Sequence, residues 1–193
     1  MNGLAKLTLA GAALCLAGAP ARAQQPPLER VISSVTLDFN NDAKKDRALL
    51  VENDDQDADL MIWLSSDDPK SDRDMMRLAL VKKSIVTAGP MWGQEPSLVV
   101  NGKGSLLVKS QNMAIGRSKW ERALTVAYRN GEFQVVGFTF SVHDGLDPKA
   151  GGSCDINLVT GKGTRNNKPV SLKPGAIRLA DWTEDRTPKE CEF

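Results

Sequence analysis

The 193 residues contain one histidine, one tyrosine and three cysteines, and aromatic side chains make up only 5%. Each shortage removes a class of chemistry. A structural zinc site takes about four Cys and His ligands, and that number is out of reach once Cys15 is removed with the leader described below. No CxxC spacing occurs, which leaves no thioredoxin-like redox site. Neither sign of charge dominates: 25 Lys and Arg face 24 Asp and Glu, a formal charge of +1. Sequence-independent nucleic-acid binding rests on a basic excess, so no nucleic-acid partner is expected. No Gly-rich loop stands between a strand and a helix to cradle phosphate. What remains is 41% hydrophobic residues with 16 Gly and 10 Pro, the composition of one ordinary folded domain.

The N-terminus reads as an address. Lys6 precedes the apolar run 7–18, and Ala21, Arg22 and Ala23 give a small-x-small cleavage pattern, so residues 1–23 are expected to be a secretory signal. The run is about half the roughly 20 residues that cross a bilayer, so no membrane insertion is expected after cleavage. The mature chain would be periplasmic or secreted, with a linker at 24–30 and a single β-rich domain at 31–193. It keeps two cysteines, Cys154 and Cys191, in a compartment where disulfides persist, and these are expected to pair. Charge is also uneven: residues 38–74 hold 12 acidic and 5 basic side chains, a local charge of −7.

Patterning points to strands. In 31–39, Val31, Val35, Leu37 and Phe39 share one parity and Ser34, Thr36 and Asp38 the other, as in a half-buried strand. Segments 48–51, 59–64, 106–109, 124–129, 133–142 and 156–160 are further apolar runs of strand length. Segment 75–86 fits alternation through Met76, Leu78 and Leu80 and a helix face through Met75, Leu78 and Ala79; we read it as a strand. Asn101-Gly102, Asn130-Gly131 and Asn166-Asn167 mark tight hairpin turns, because these residues tolerate positive φ. The expectation is an all-β domain, an antiparallel meander of about ten short strands in sandwich-like or partial propeller-like sheets.

One loop carries candidate chemistry. Residues 38–46 place oxygen-bearing side chains at positions 1, 3, 5 and 9, namely Asp38, Asn40, Asp42 and Asp46, while the Lys44 carbonyl adds another oxygen. Alternate side chains on a tight loop can surround a hard cation such as calcium. The same carboxylates can also form a solvated turn balanced by Lys44, Lys45 and Arg47. The spacing resembles the D-x-N-x-D-G-x-x-D loop of VCBS and FG-GAP (integrin α-like) repeats, in which it joins two strands and binds calcium. Ala43 stands where that pattern carries Gly, and Asn41 replaces another frequent Gly. Trp120-Glu121 ahead of 124–128, the turn 129–132 and Val136-Gly137 ahead of Phe138 also resemble exported bacterial proteins carrying such a loop. A single match argues against a full propeller, which repeats its blades.

Other candidates are fewer. Asp55, Asp57 and Asp59 alternate in a second acidic loop, which would complete the first site, make another, or serve as a solvated turn. Ser141, His143 and Asp144 lack a nucleophile elbow, so no catalytic residue is assigned. Trp92, between Gly89-Pro90 and Gly93, is the aromatic expected outside the core and a candidate ligand contact. The functional expectation is a non-enzymatic exported domain that binds a protein or envelope polymer, with calcium stiffening the 38–46 loop. The alternative is an envelope hydrolase using carboxylates from the acidic region.

Overall fold

The computed structural model describes residues 28–66, 75–89, 91–147 and 149–193. The expected signal segment, the start of the linker and the acidic residues 67–74 lie outside the described residues. A 3-10 turn at Leu28–Arg30 leads into twelve strands. They are β1 (Val31–Leu37), β2 (Asp46–Glu52), β3 (Asp57–Ser66), β4 (Met75–Thr87), β5 (Ser97–Val100), β6 (Leu106–Asn112), β7 (Ser118–Arg129), β8 (Glu132–Asp144), β9 (Gly151–Asn157), β10 (Lys162–Arg165), β11 (Lys168–Ser171) and β12 (Ile177–Arg178).

The all-β meander expected from the pattern is what forms. Strands β1 to β4 make one antiparallel sheet in chain order, and β5 to β11 make a second, also in chain order. The chain changes sheet once along this path, between β4 and β5. β12 pairs with Gln134 and Val135 at the start of β8, beside the stretch of β8 that pairs with β9. The sheets do not close into a barrel and pack as a sandwich. One apolar cluster draws on both: Leu50, Leu60 and Ile62 from the first sheet, and Leu106, Val108, Leu124, Val126, Phe138 and Ile156 from the second. Burying each such side chain contributes about 1.5–3 kcal/mol.

Alternation explains most of the inward set. Leu60, Ile62 and Leu64 point one way along β3, as do Leu106 and Val108 along β6. In β8 the parity changes partway. Val126 faces Val135 and Thr125 faces Gly137, so Val136 is an extra residue, and the inward series runs Phe133, Val135 and then Phe138. The Val136 carbonyl freed by this bulge accepts the Leu158 N–H at 3.0 Å.

Two of the three Asn-marked turns form by the expected route. Asn130 (φ 53°) with Gly131 (φ 83°), and Asn166 (φ 48°) with Asn167 (φ 62°), occupy the left-handed region and close two-residue hairpins. The turn at Asn101 works differently: Gly104 takes the positive φ, and the Asn101 side chain accepts the Lys103 and Ser105 N–H groups. Segment 75–86 is a strand, as read. Segment 156–160 is not one throughout: pairing stops at Asn157, whose carbonyl accepts the Gly161 N–H at 2.9 Å and turns the chain.

The C-terminal residues close the side of the sandwich between β4 and the second sheet. Leu179 is fully buried, Trp182 stacks on Phe138 at 6.1 Å, and the Lys82 ammonium donates to the Ala180 carbonyl at 3.1 Å. Cys191 is bonded to Cys154, with Cα atoms 5.4 Å apart, which pins this segment to β9.

Candidate functional site

The 38–46 loop joins β1 to β2 and is held by its own carboxylates. Asp38 accepts the N–H groups of Asp42 (3.1 Å) and Ala43 (2.8 Å). Asp42 accepts the Lys44 N–H and the Asn40 side-chain amide, which hold its carboxyl below the ordinary value, the Asn40 bond first. Asn41 (φ 60°) and Ala43 (φ 68°) both occupy the left-handed region, which glycine adopts without steric cost. Asp46 turns the other way. Fully buried at the start of β2, it accepts the Phe39 N–H and the Ser65 N–H, each at 2.8 Å. Phe39 then packs edge-on to Phe133 of the second sheet at 5.9 Å.

The five predicted ligands, Asp38, Asn40, Asp42, Lys44 and Asp46, therefore share one loop, but Asp46 is committed to the N–H groups of Phe39 in the loop and Ser65 in β3. Among the described residues no three His, Cys, Asp or Glu side chains gather as a metal-holding group. The second acidic loop, joining β2 to β3, lies at the opposite end of these strands. A seven-residue strand spans about 20 Å, so Asp55, Asp57 and Asp59 do not complete the first site. Asp59 is a second buried cap. Burial pushes its carboxyl up, but bonds from Lys83, the Ser84 N–H and Asn53 outweigh that and hold it below its ordinary value. The acidic side chains of the described part of this segment, residues 38–66, are thus divided between two ends of a sheet and partly used inside it.

The opposite sheet presents a different surface. Gln94 N–H donates to the Met91 carbonyl at 3.0 Å and closes the turn that carries Trp92. Met113 N–H donates to the Gly93 carbonyl at 2.9 Å, tying this turn to the β6–β7 loop, where Asn112 brackets Ile115 through both of its side-chain atoms. Gly145 N–H donates to the Arg117 carbonyl at 2.8 Å, and Arg117 pairs with Asp144, which joins the β8–β9 loop to the same end. Three hydrogen-bonded loops thus present Met91 (52% exposed), Trp92 (87%), Met113 (40%), Ile115 (41%) and Leu146 (79%). Exposed apolar side chains are ordinary singly, but their concentration on one end is not.

Beside these loops lies a cavity of about 180 Å³ lined by Thr87, Gly89, Gln94, Ser110, Gln111, Asn112, Trp120 and Arg122. Sequence reading missed it. The signal was available in β6 and β7: the inward parity runs Leu106, Val108, Ser110, Asn112 and, across the ladder, Val126, Leu124, Arg122, Trp120. Polar residues occupy positions whose period calls for core. The Arg122 side chain, 13% exposed, is held by Glu184 and by Ser110.

His143 lies on an outer cavity of about 340 Å³ with Ser118, Asp144 and Phe193. Asp144 does not orient it. Its carboxylate serves Arg117 first and the Leu146 and Asp147 N–H groups next, and stays below its ordinary value for those reasons. Neither of these two cavities is lined by two carboxylates, the arrangement that the hydrolase reading needs. No helix among the described residues is long and apolar enough to cross a membrane. Comparison with protein-family models, curated proteins and solved structures finds no match in any of the three.

Proposed function

We propose that this chain is an exported, non-catalytic β-sandwich that binds a protein or envelope polymer through the end of its second sheet that carries Trp92. The observation behind this reading is the set of three cross-bonded loops presenting Met91, Trp92, Met113, Ile115 and Leu146 to solvent. Aromatic and Met side chains dominate the centres of recognition surfaces, where large contact area is gained at small entropic cost. The hydrogen bonds between the loops hold these anchors in place before binding, which lowers the ordering cost of association. Calcium is not required by this reading. The 38–46 loop lies on the other sheet, and its carboxylates already accept backbone N–H groups.

The test is retention of the mature chain, residues 24–193, on purified cell-envelope fractions, with Trp92→Ala beside it. Trp92 is too exposed to support the core, so the variant should melt with wild type yet bind about ten-fold more weakly. Equal retention of the two proteins would remove this surface from the reading.

A further inference from the structure

We infer that the cavity behind the Trp92 turn is a subsite for one ring of a neutral saccharide. This rests on the proposed binding end only in placing both features on one recognition face, and it names the ligand class there. The inner face of the second sheet is apolar as far as Val108 and Leu124 and then becomes polar at the next cross-strand pairs, Ser110 with Arg122 and Asn112 with Trp120. A sandwich gains nothing in stability from polar side chains at these inward positions, and such breaks in pattern mark functional sites. The two sheets leave this end unfilled, with Thr87 at the end of β4 on one side and Gln94 on the other.

The lining selects the class. Arg122 is the one charged residue among the lining side chains, and its Nη1 lies 2.6 Å from each carboxylate oxygen of Glu184 while its Nε donates to Ser110. Its charge is already matched, so the cavity offers an anion little. The other polar side chains are the Gln94 and Asn112 amides, joined by a 3.4 Å bond, and the Thr87 and Ser110 hydroxyls, which between them both donate and accept. Sugar hydroxyls do the same. Trp120 contributes an aromatic surface against which the apolar face of a sugar ring can pack. A volume of about 180 Å³ falls below the roughly 300–1,000 Å³ of pockets for drug-sized ligands, which limits an occupant to one ring and leaves too little space for an extended peptide. The turn that directs Gln94 to the cavity also carries Trp92 in solvent, two residues away, where the next ring of a chain could stack.

The experiment titrates the ¹⁵N-labelled mature chain with maltotriose, cellotriose and chitotriose separately, and with inorganic phosphate in parallel. Expected is saturable movement of the Trp120 indole and of the Gln94 side-chain amide with at least one trisaccharide, at about millimolar Kd. Phosphate should leave these signals in place. Gln94→Ala, which avoids the half-buried Trp120, should weaken the sugar response several-fold at unchanged Tm. Silence with all three sugars at about ten times that concentration would overturn the inference, as would a stronger response to phosphate. A silent cavity with weakened Trp92→Ala retention overturns the sugar subsite and leaves the binding end standing. A responding cavity with unaffected Trp92→Ala retention does the reverse.

Discussion

At Ala43 the chain tolerates a conformation that most L-residues avoid. Its φ of 68° places Cβ against the following carbonyl, at a cost of about 1–2 kcal/mol. The position persists because Asp38 accepts the Ala43 N–H at 2.8 Å and Asp42 accepts the Lys44 N–H at 2.8 Å, which fixes the turn from both sides. Glycine would relieve the strain but would enlarge the freedom of the unfolded chain, offsetting part of the gain. Ala43→Gly is therefore expected to stabilise by about 1 kcal/mol, raising Tm by about 2–4 °C in a protein of this size. The same gain should appear in millimolar calcium and in chelator, since the relieved strain is in the backbone. A gain seen only with calcium would show that the ion, and not the hydrogen bonds, sets this loop.

The strand pairs of the first sheet rely on two aspartates that the sequence displays as ligands. Asp59 is buried beneath the β2–β3 turn and receives Lys83, the Ser84 N–H and Asn53. Because these bonds favour the ionised carboxyl, its folded value lies below the unfolded one, so its contribution is fully present above about pH 4 and is lost as the pH falls further. Asp59→Asn should cost about 1.5–3 kcal/mol at neutral pH, a typical figure for bonds to a charged group. Thermal melts from pH 7 to about pH 2 should then converge for the two proteins at the acid end. Parallel curves throughout would mean that the Asp59 charge has no stabilising role. The strands themselves were legible from alternation, and the left-handed turns at Asn130 and Asn166 from composition. The short strands β5, β10, β11 and β12 were not, since two to four residues carry too little period to register, and neither was the start of β9, where Gly151, Gly152 and Ser153 show no apolar alternation. Nor was the inward turn of Asp46: spacing shows which oxygens share a loop, while their direction depends on the N–H groups of Phe39 and Ser65, the second supplied 19 residues later by another strand.

Over the whole molecule, the cavity depends on a segment far from it in sequence. Glu184, which neutralises Arg122, belongs to the C-terminal residues that Trp182 packs against Phe138 and that Cys191 bonds to Cys154. Arg122 comes 62 residues earlier, and nothing in local pattern joins the two, so this pairing, unlike the polar break in β6 and β7, has no signal in the sequence. The disulfide closes a loop of 37 residues, worth about 3–4 kcal/mol on the chain-entropy account. Cys154→Ser with Cys191→Ser should lose about that much, lowering Tm by about 6–16 °C. The loss should be local before it is global. In hydrogen exchange of the folded double variant, amides of 179–193 should exchange faster while those of β2 and β3 stay protected, because the first sheet's ladder does not pass through the bridge. Uniform acceleration would mean that the sandwich opens as one unit, so that the tail, and the charge balance it brings to Arg122, is no more separable than the core.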